Sequence, residues 1–291
     1  MPARVKKVSA WDREAVLEIS RHIWDGYDYL PSVIDEWLRD PDSHIYGVEE
    51  DGRLIAVANL RLVDDGNTGW MEGLRVHPDF RGRGYAHTLT RQLIEEAEEL
   101  GAVRLRYTTS SQNEASLKLA EEYGFVRAFE MAVFWRPTPK TAPPATARRV
   151  IEKSSDPAQV YTLLQANPSL IPHEMLVYDW KALDCTPAGF EALGRTNEFY
   201  TALKKHTLGS LSYGSLRRRG EVLLWVFTVH ATDTRGFLLH LWHNVTIALK
   251  RRCNAVMGTH DLKFEEAFQN IDWGPNQHWS AKLVMLEKTM H

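Results

Sequence analysis

Val76-His77-Pro78-Asp79-Phe80-Arg81-Gly82-Arg83-Gly84-Tyr85-Ala86 joins an alternating stretch at 69–76 to a long amphipathic one at 84–100. In the second stretch Ala86, Leu89, Leu93, Ala97 and Leu100 recur at spacings of three and four, and Gly101 ends it, so it reads as a helix preceded by a strand. The first amides of a helix lack intrahelical acceptors and carry partial positive charge, which suits a phosphate. Gly82 and Gly84 let the backbone approach such a group and adopt positive φ. Pro78 turns the chain out of the strand, and Arg81 and Arg83 add cationic donors at the mouth. A lone GxG says little, but here a strand precedes it and a helix follows.

Upstream, Arg4–Ser9 reads as a strand, Asp12–Arg21 as a helix with Asp12 as its N-cap, and 31–39 as a second helix opening at Pro31. Strands are expected at 44–50 and 53–63 around an Asp51-Gly52 hairpin turn, and Asp65-Gly66-Asn67 turns the chain into the strand at 69–76. Downstream, a strand at 103–109, a helix at 113–123 and a strand from Phe125 to Trp135 complete a mixed α/β order. Residues 137–147, PTPKTAPPATA, hold four prolines and read as an extended linker between domains at 1–136 and 148–291.

The second half repeats part of that order. Arg149–Lys153 reads as strand, Pro157–Gln165 as helix, Glu221–His230 as strand and 233–250 as helix. A strand at 254–259, a helix at 262–270 and a strand at Trp279–Lys288 follow, while 166–205 fits no clear scheme. Strand 221–230 and helix 233–250 would match strand 69–76 and helix 84–100, as expected of a duplication. The stretch between them, Val229-His230-Ala231-Thr232-Asp233-Thr234-Arg235-Gly236, has one glycine and an acidic residue where a phosphate would sit. This half is therefore expected to bind no phosphate and to play a structural part.

Composition sets the outer bounds. The 291 residues are 44% hydrophobic and 25% charged with net charge −3, an ordinary globular balance that draws the chain to neither nucleic acid nor an anionic membrane. Arg217-Arg218-Arg219 reads as a solvated turn. Cys185 and Cys253 lack metal spacing and read as reduced thiols, and the opening residues lack a signal peptide's apolar run, so a cytoplasmic location is expected. No stretch approaches the ~20 apolar residues of a membrane span. His240 and His243 lie three apart in an apolar helix and read as core histidines, with no metal expected. A homo-oligomer is left open.

Arg81-x-x-Gly84-x-Ala86, preceded by Val76-x-Pro78, resembles the Q/R-x-x-G-x-G/A signature of GNAT acetyltransferases. Asn113-x-x-Ser116-x-x-Leu119 before Gly124-Phe125 resembles that family's second motif. The resemblance implies a GNAT-type mixed sheet flanked by helices, followed by a second α/β domain read as a degenerate GNAT-like repeat. It also implies acetyl-CoA as co-substrate, lying in a splay between strands 69–76 and 103–109. The backbone of Leu74, Arg75 and Val76 would then pair with the pantetheine arm. The amides of Arg81, Gly82, Arg83, Gly84, Tyr85 and Ala86 would hold the pyrophosphate, with Asn113 and Ser116 facing the cofactor. Upstream, Asp28-Tyr29-Leu30-Pro31-Ser32-Val33 and Glu72-Gly73-Leu74-Arg75-Val76 are similar to segments of the vertebrate histidine N-acetyltransferase branch, implying a free amino acid such as histidine as acceptor.

An amine attacks a thioester only when neutral, so a base must take its proton. Glu72 is the candidate: Trp70, Met71 and Leu74 give it apolar neighbours expected to raise its pKa, and the alternative is an ion pair with Arg75 or Arg61. A backbone N–H near Leu74 would stabilise charge on the thioester oxygen. Where many relatives carry a tyrosine as acid this chain has Ala120, so Tyr123 either substitutes one turn later or simply packs. Tyr27, Asp28 and Tyr29, in a loop bounded by Gly26 and Pro31, are candidates for binding the acceptor through stacking and charge. Two other readings stay open: a peptide or protein acceptor, and a catalytically silent acetyl-CoA sensor.

Overall fold

At Asp51-Gly52 both residues take positive φ, 49° and 78°, as a two-residue hairpin turn demands, and the flanking segments pair antiparallel. The computed structural model describes residues 3–21, 23, 28–141, 151–273 and 279–290. The chain divides into two compact units. The first comprises Met1–Tyr107, Ala115–Val126 and Leu286–His291, and the second Thr108–Glu114 and Arg127–Met285.

The first unit is built on strands β1 (Arg4–Lys7), β2 (Ser43–Glu50), β3 (Arg53–Val63) and β4 (Thr68–Val76), antiparallel in sequence order, with β5 (Arg104–Ser110) parallel to β4. Helices α1 (Arg13–Arg21) and α2 (Leu30–Trp37) cover one part of this sheet, burying Val16, Ile19, Leu30, Ile34 and Trp37 against Ile45, Leu54 and Val57. Helix α3 (Tyr85–Glu99) packs on β2, β3 and β4 through the predicted stripe of Leu89, Leu93 and Ala97. Its buried Glu96 accepts hydrogen bonds from the Tyr46 hydroxyl and from His44 Nδ1 at 2.8 Å, so the polar break in the stripe is satisfied. Helix α4 (Glu114–Glu122) follows β5.

The N-terminal boundary needs correction. Asp12 does not cap a helix. Ser9 opens a 3-10 turn at Ala10–Asp12, and its backbone N and Oγ donate to Asp12 Oδ2 at 2.9 and 3.0 Å, the reciprocal contact of a capping box.

The second unit contains β6 (Val126–Pro137), β7 (Glu152–Ser154), α5 (Pro157–Gln165), β8 (Met175–Tyr178), β9 (Lys181–Asp184), α6 (Pro187–Gly194), β10 (Glu198–Lys204), β11 (Thr207–Arg219), β12 (Val222–Ala231), α7 (Thr234–Lys250), β13 (Ala255–His260), α8 (Glu265–Gln269) and β14 (Trp279–Thr289). Its sheet runs β6-β13-β12-β11-β10-β7, and α7 lies on β12 and β11 over a core that includes Phe227, Phe237, Leu241 and Phe268.

The units do not follow the boundary read at 137–147. Pro137 ends β6, paired with Ala255, and residues 142–147 lie outside the described residues. The first half's last strand belongs to the second unit, and the chain's last residues return to the first unit, where Met290 N donates to Val103 O at 2.9 Å. The second unit's sheet thus includes β6 from the first half of the chain, and the residues of β14 from Leu286 onward count with the first unit. A hydrophobic pattern carries no record of which edge a strand joins.

Arg217-Arg218-Arg219 is also corrected: these residues pair with Leu224, Leu223 and Val222, and the turn falls on Gly220. Arg219 Nη2 donates to Asp179 Oδ1 at 2.6 Å. The helix read at 262–270 is a 3-10 turn at Leu262–Phe264 followed by α8. Among the described residues no helix is long and apolar enough to cross a membrane.

Candidate active site

Strand β4 is regular at its start and broken at its end, and the break shapes the site. Val57 faces Arg75 and Asn59 faces Glu72, so one residue of β3, Ala58, is matched by two of β4. That extra residue is a bulge at Gly73-Leu74, where Gly73 has φ +70°. A Cβ on Gly73 would stand 2.5 Å from Trp37 Cη2, so both the backbone and the space require glycine. On its other edge β4 pairs with β5 at Thr68, Gly69 and Trp70, matched with Arg104, Leu105 and Arg106. The ladder stops there, and Leu74 and Val76 lie beyond it.

The loop after β4 has the geometry its glycines implied. Pro78–Phe80 forms a single 3-10 turn, Gly82 takes φ +75° and Gly84 φ +84° as the N-cap of α3. Neither glycine has an atom within 4 Å of an added Cβ, so the backbone, not crowding, selects them. The first bond of α3 to its cap is Thr88 N to Gly84 O at 3.0 Å, leaving the amides before it pointing out of the helix end. No side chain caps this end and no acidic residue stands in its first turn. Arg81 Nε donates to Val76 O at 3.3 Å, and Arg83 reaches Glu50 Oε2 at 3.3 Å with its guanidinium over the Phe80 ring. Tyr85 donates its hydroxyl to Glu50 Oε1 at 2.9 Å, a bond that raises the phenol pKa. The loop thus presents a helix end of open amides with cationic side chains beside it, which fits a pyrophosphate.

The same comparison in the second unit gives the opposite result. There β12 and β13 pair in parallel without interruption, from Leu224↔Ala255 to Val229↔His260. The N-terminus of α7 is capped by its own carboxylate, Asp233 Oδ1 accepting from Gly236 N at 2.7 Å, and Lys204 Nζ holds Oδ2 at 2.6 Å. An anion at this helix end would meet a carboxylate.

The remaining candidates separate. Glu72 lies half-buried at the bulge, and Asn59, fully buried on β3, donates Nδ2 to its Oε1 at 3.4 Å. The two arginines weighed as its partners are engaged with other carboxylates: Arg61 with Asp40 at 2.9 Å, and Arg75 with Asp28. Asp28, read as a candidate for binding the acceptor, is buried. Its buried carboxylate takes Arg75 Nε at 3.1 Å and Nη2 at 3.0 Å, a forked pair that already neutralises its charge. Arg75 also lies over the Tyr29 ring, 5.2 Å from its centroid, so its side chain braces the α2 entry, leaving only its backbone for a cofactor. Tyr27 lies outside the described residues.

Tyr123 donates its hydroxyl to His87 O at 3.0 Å on the first turns of α3. Ala120, at the position of the expected tyrosine, is buried. Ser116 is in the first unit, its carbonyl accepting from Tyr107 Oη at 3.2 Å, whereas Asn113 falls within the second unit's segment, with its N donating to Ser110 O at 2.9 Å. His240 is a core residue bonded through Nδ1 to Ser212 Oγ at 2.8 Å. Asn59, Gly73 and Glu50 escaped the sequence reading. Of these only Gly73, a glycine inside a strand pattern, carried a signal.

Among curated proteins, a histidine N-acetyltransferase of Xenopus tropicalis is 27% identical over 200 residues, 62% of this chain and 60% of that protein. A histidine N-acetyltransferase of Oreochromis niloticus is 38% identical over 84 residues, 29% of this chain and 25% of that protein. The chain therefore matches less than two thirds of the length of either relative. Among solved structures, a tandem GNAT protein from the clavulanic acid biosynthesis pathway superposes with TM-score 0.64 at 17% identity, covering 99% of this chain and 98% of that one. That likeness shows the fold and supports a second GNAT-like domain. The Acetyltransferase (GNAT) family model matches residues 11–125, which span the bulged strand, the glycine loop and α3. The N-terminal half of this chain carries a GNAT acetyltransferase domain.

Proposed function

We propose that the chain is an N-acetyltransferase that moves an acetyl group from acetyl-CoA to the amine of a small molecule, a free amino acid such as histidine. The observation that carries this reading is the junction of β4 with α3. A strand edge left unpaired past Trp70↔Arg106 leads directly into a helix end of open amides. Acetyl-CoA would supply an activated acyl group on a thiol that leaves readily near neutral pH. The amides of Gly82–Ala86 bind its diphosphate, Arg81 and Arg83 add charge at the mouth, and the backbone of Leu74–Val76 offers a strand edge to its amide-bearing arm.

Glu72 takes the proton of the acceptor's ammonium, and Asn59 orients it by donating to Oε1. With Ala120 buried and the Tyr123 hydroxyl given to His87 O, the thiol departs without a dedicated tyrosine acid. Asp28 acts at one remove, fixing Arg75 and with it the bulge. Tyr29 presents its ring at the same corner, where it contributes to acceptor binding. The histidine N-acetyltransferase relatives support a free amino acid as acceptor.

A screen of free amino acids, polyamines and peptides, read by release of free thiol, tests the reading. Turnover with free histidine or another single amino acid is expected. Turnover with peptides alone would overturn the small-molecule acceptor. Acetyl-CoA binding with no turnover on any amine would make the chain a sensor.

A further inference from the structure

Coenzyme A carries a diphosphate and, separately, a phosphate on its ribose. The amides of Gly82–Ala86 answer the diphosphate, and no residue named above answers the other group. Arg53 opens β3 directly after the Asp51-Gly52 turn and is exposed. The start of β3 runs beside the start of the glycine loop: Ala56 faces Val76, and His77 N donates to Ile55 O at 2.8 Å. Arg53 reaches across to that loop. Its Nη2 stands 2.9 Å from His77 Nε2, and its guanidinium lies over the Phe80 ring, 5.5 Å from the centroid. Asp79 N points at Nδ1 of the same imidazole at 3.3 Å, and a neutral imidazole has one acceptor nitrogen, so His77 cannot accept from both. The Arg83 guanidinium lies over the same Phe80 ring at 4.9 Å, so one ring gathers two cations beside the loop. They differ in charge balance. Arg83 is paired with Glu50 at 3.3 Å, whereas neither an imidazole nor a phenyl face cancels the charge of Arg53. An exposed guanidinium fixed in this way keeps forked donors for an anion.

We propose that Arg53 binds the ribose 3′-phosphate of coenzyme A and sets a preference for coenzyme A over its 3′-dephospho form. The phosphate supplies the acceptor and the countercharge that His77 and Phe80 do not. Arg53 lies on β3, across β4 from the edge that opens towards β5, and so stands apart from the acyl-bearing arm. The inference rests on the acetyl-CoA reading above and adds to it the residue that reads the nucleotide end.

Calorimetric titration of the full chain with coenzyme A and with 3′-dephospho-coenzyme A tests it. Wild type should bind coenzyme A about fivefold more tightly, the scale of one exposed ion pair. Arg53→Gln should weaken coenzyme A by about that factor while 3′-dephospho-coenzyme A stays within about twofold, and Arg53→Lys should restore part of the preference. Arg91→Gln removes an exposed arginine of α3 and should keep the preference, which separates a contact from a change in overall charge. Equal affinity of wild type for the two ligands, a preference that persists in Arg53→Gln, equal losses for both ligands there, or a preference lost in Arg91→Gln would overturn the assignment. Should Arg53→Gln fail to fold, an undiminished preference in Arg53→Lys overturns it instead. Coenzyme A bound without regard to Arg53 ends this inference alone, whereas binding of neither ligand ends the acetyl-CoA reading with it.

Discussion

Replacing Gly73 by alanine attacks the bulge through two separable costs. Its φ of +70° places an L-residue in the left-handed region, at about 1–2 kcal/mol. The new methyl would also stand 2.5 Å from Trp37 Cη2 and 2.8 Å from Cζ3, in a ring that is 1% exposed and unable to swing into solvent. Overpacking of this kind costs about 1–3 kcal/mol. The sum, about 2–5 kcal/mol, is a large part of the roughly 5–15 kcal/mol that holds a domain together. Gly52→Ala is the internal control: φ is +78° but nothing lies within 4 Å, so only the backbone cost of about 1–2 kcal/mol applies. Urea denaturation of both variants gives the difference, and calorimetry with coenzyme A shows whether the strand edge survives. Gly73→Ala should be the less stable by at least about 1 kcal/mol and should bind coenzyme A more weakly, whereas Gly52→Ala should bind it normally. Equal stabilities with equal coenzyme A affinities would refute the argument that Trp37 and the bulge together hold β4 open.

Other expectations follow from the same contacts. Asp28→Leu strands a buried guanidinium and should cost about 3–5 kcal/mol in urea denaturation, with much of that restored when Arg75→Met removes the orphaned charge as well. Glu72→Gln should lower kcat by about 10²–10⁴ while coenzyme A affinity stays within about twofold, and undiminished turnover would remove Glu72 from the reaction. Burial alone would raise the pKa of Glu96, but bonds from Tyr46 and His44 outweigh it and hold the group below its ordinary 4.5. The stability it adds is therefore present above that value and lost as pH falls through the lower folded pKa, so Glu96→Gln should show a flatter acid limb in stability-versus-pH measurements.

Legibility of the chain divides by the range of the interactions. The glycine loop was readable because its signals are local: Gly82 and Gly84 stand where positive φ is needed, and the stripe from Ala86 to Leu100 marks the helix they open. The acidic residue of the second half's loop, Asp233, was readable for the same reason, whereas its capping of the helix was not read. Asp28 and Arg75 were assigned separate roles because 47 positions separate them and no local pattern announces a forked pair. Asn59 was passed over as one polar residue in a strand, and its meaning depends on which residue faces it across the ladder. The membership of β6 in the second unit was invisible, because any strand with an apolar face fits either edge. Residues 166–205 resisted reading because β8 and β9 are four residues each, too short for a period to show.

The most direct test of the account is a calorimetric titration of the full chain with coenzyme A. One site per chain is expected, because β4 opens past Trp70 while β12 stays paired through Val229 and Asp233 caps the second helix. Two sites per chain, or no heat from folded protein at millimolar ligand, would contradict it.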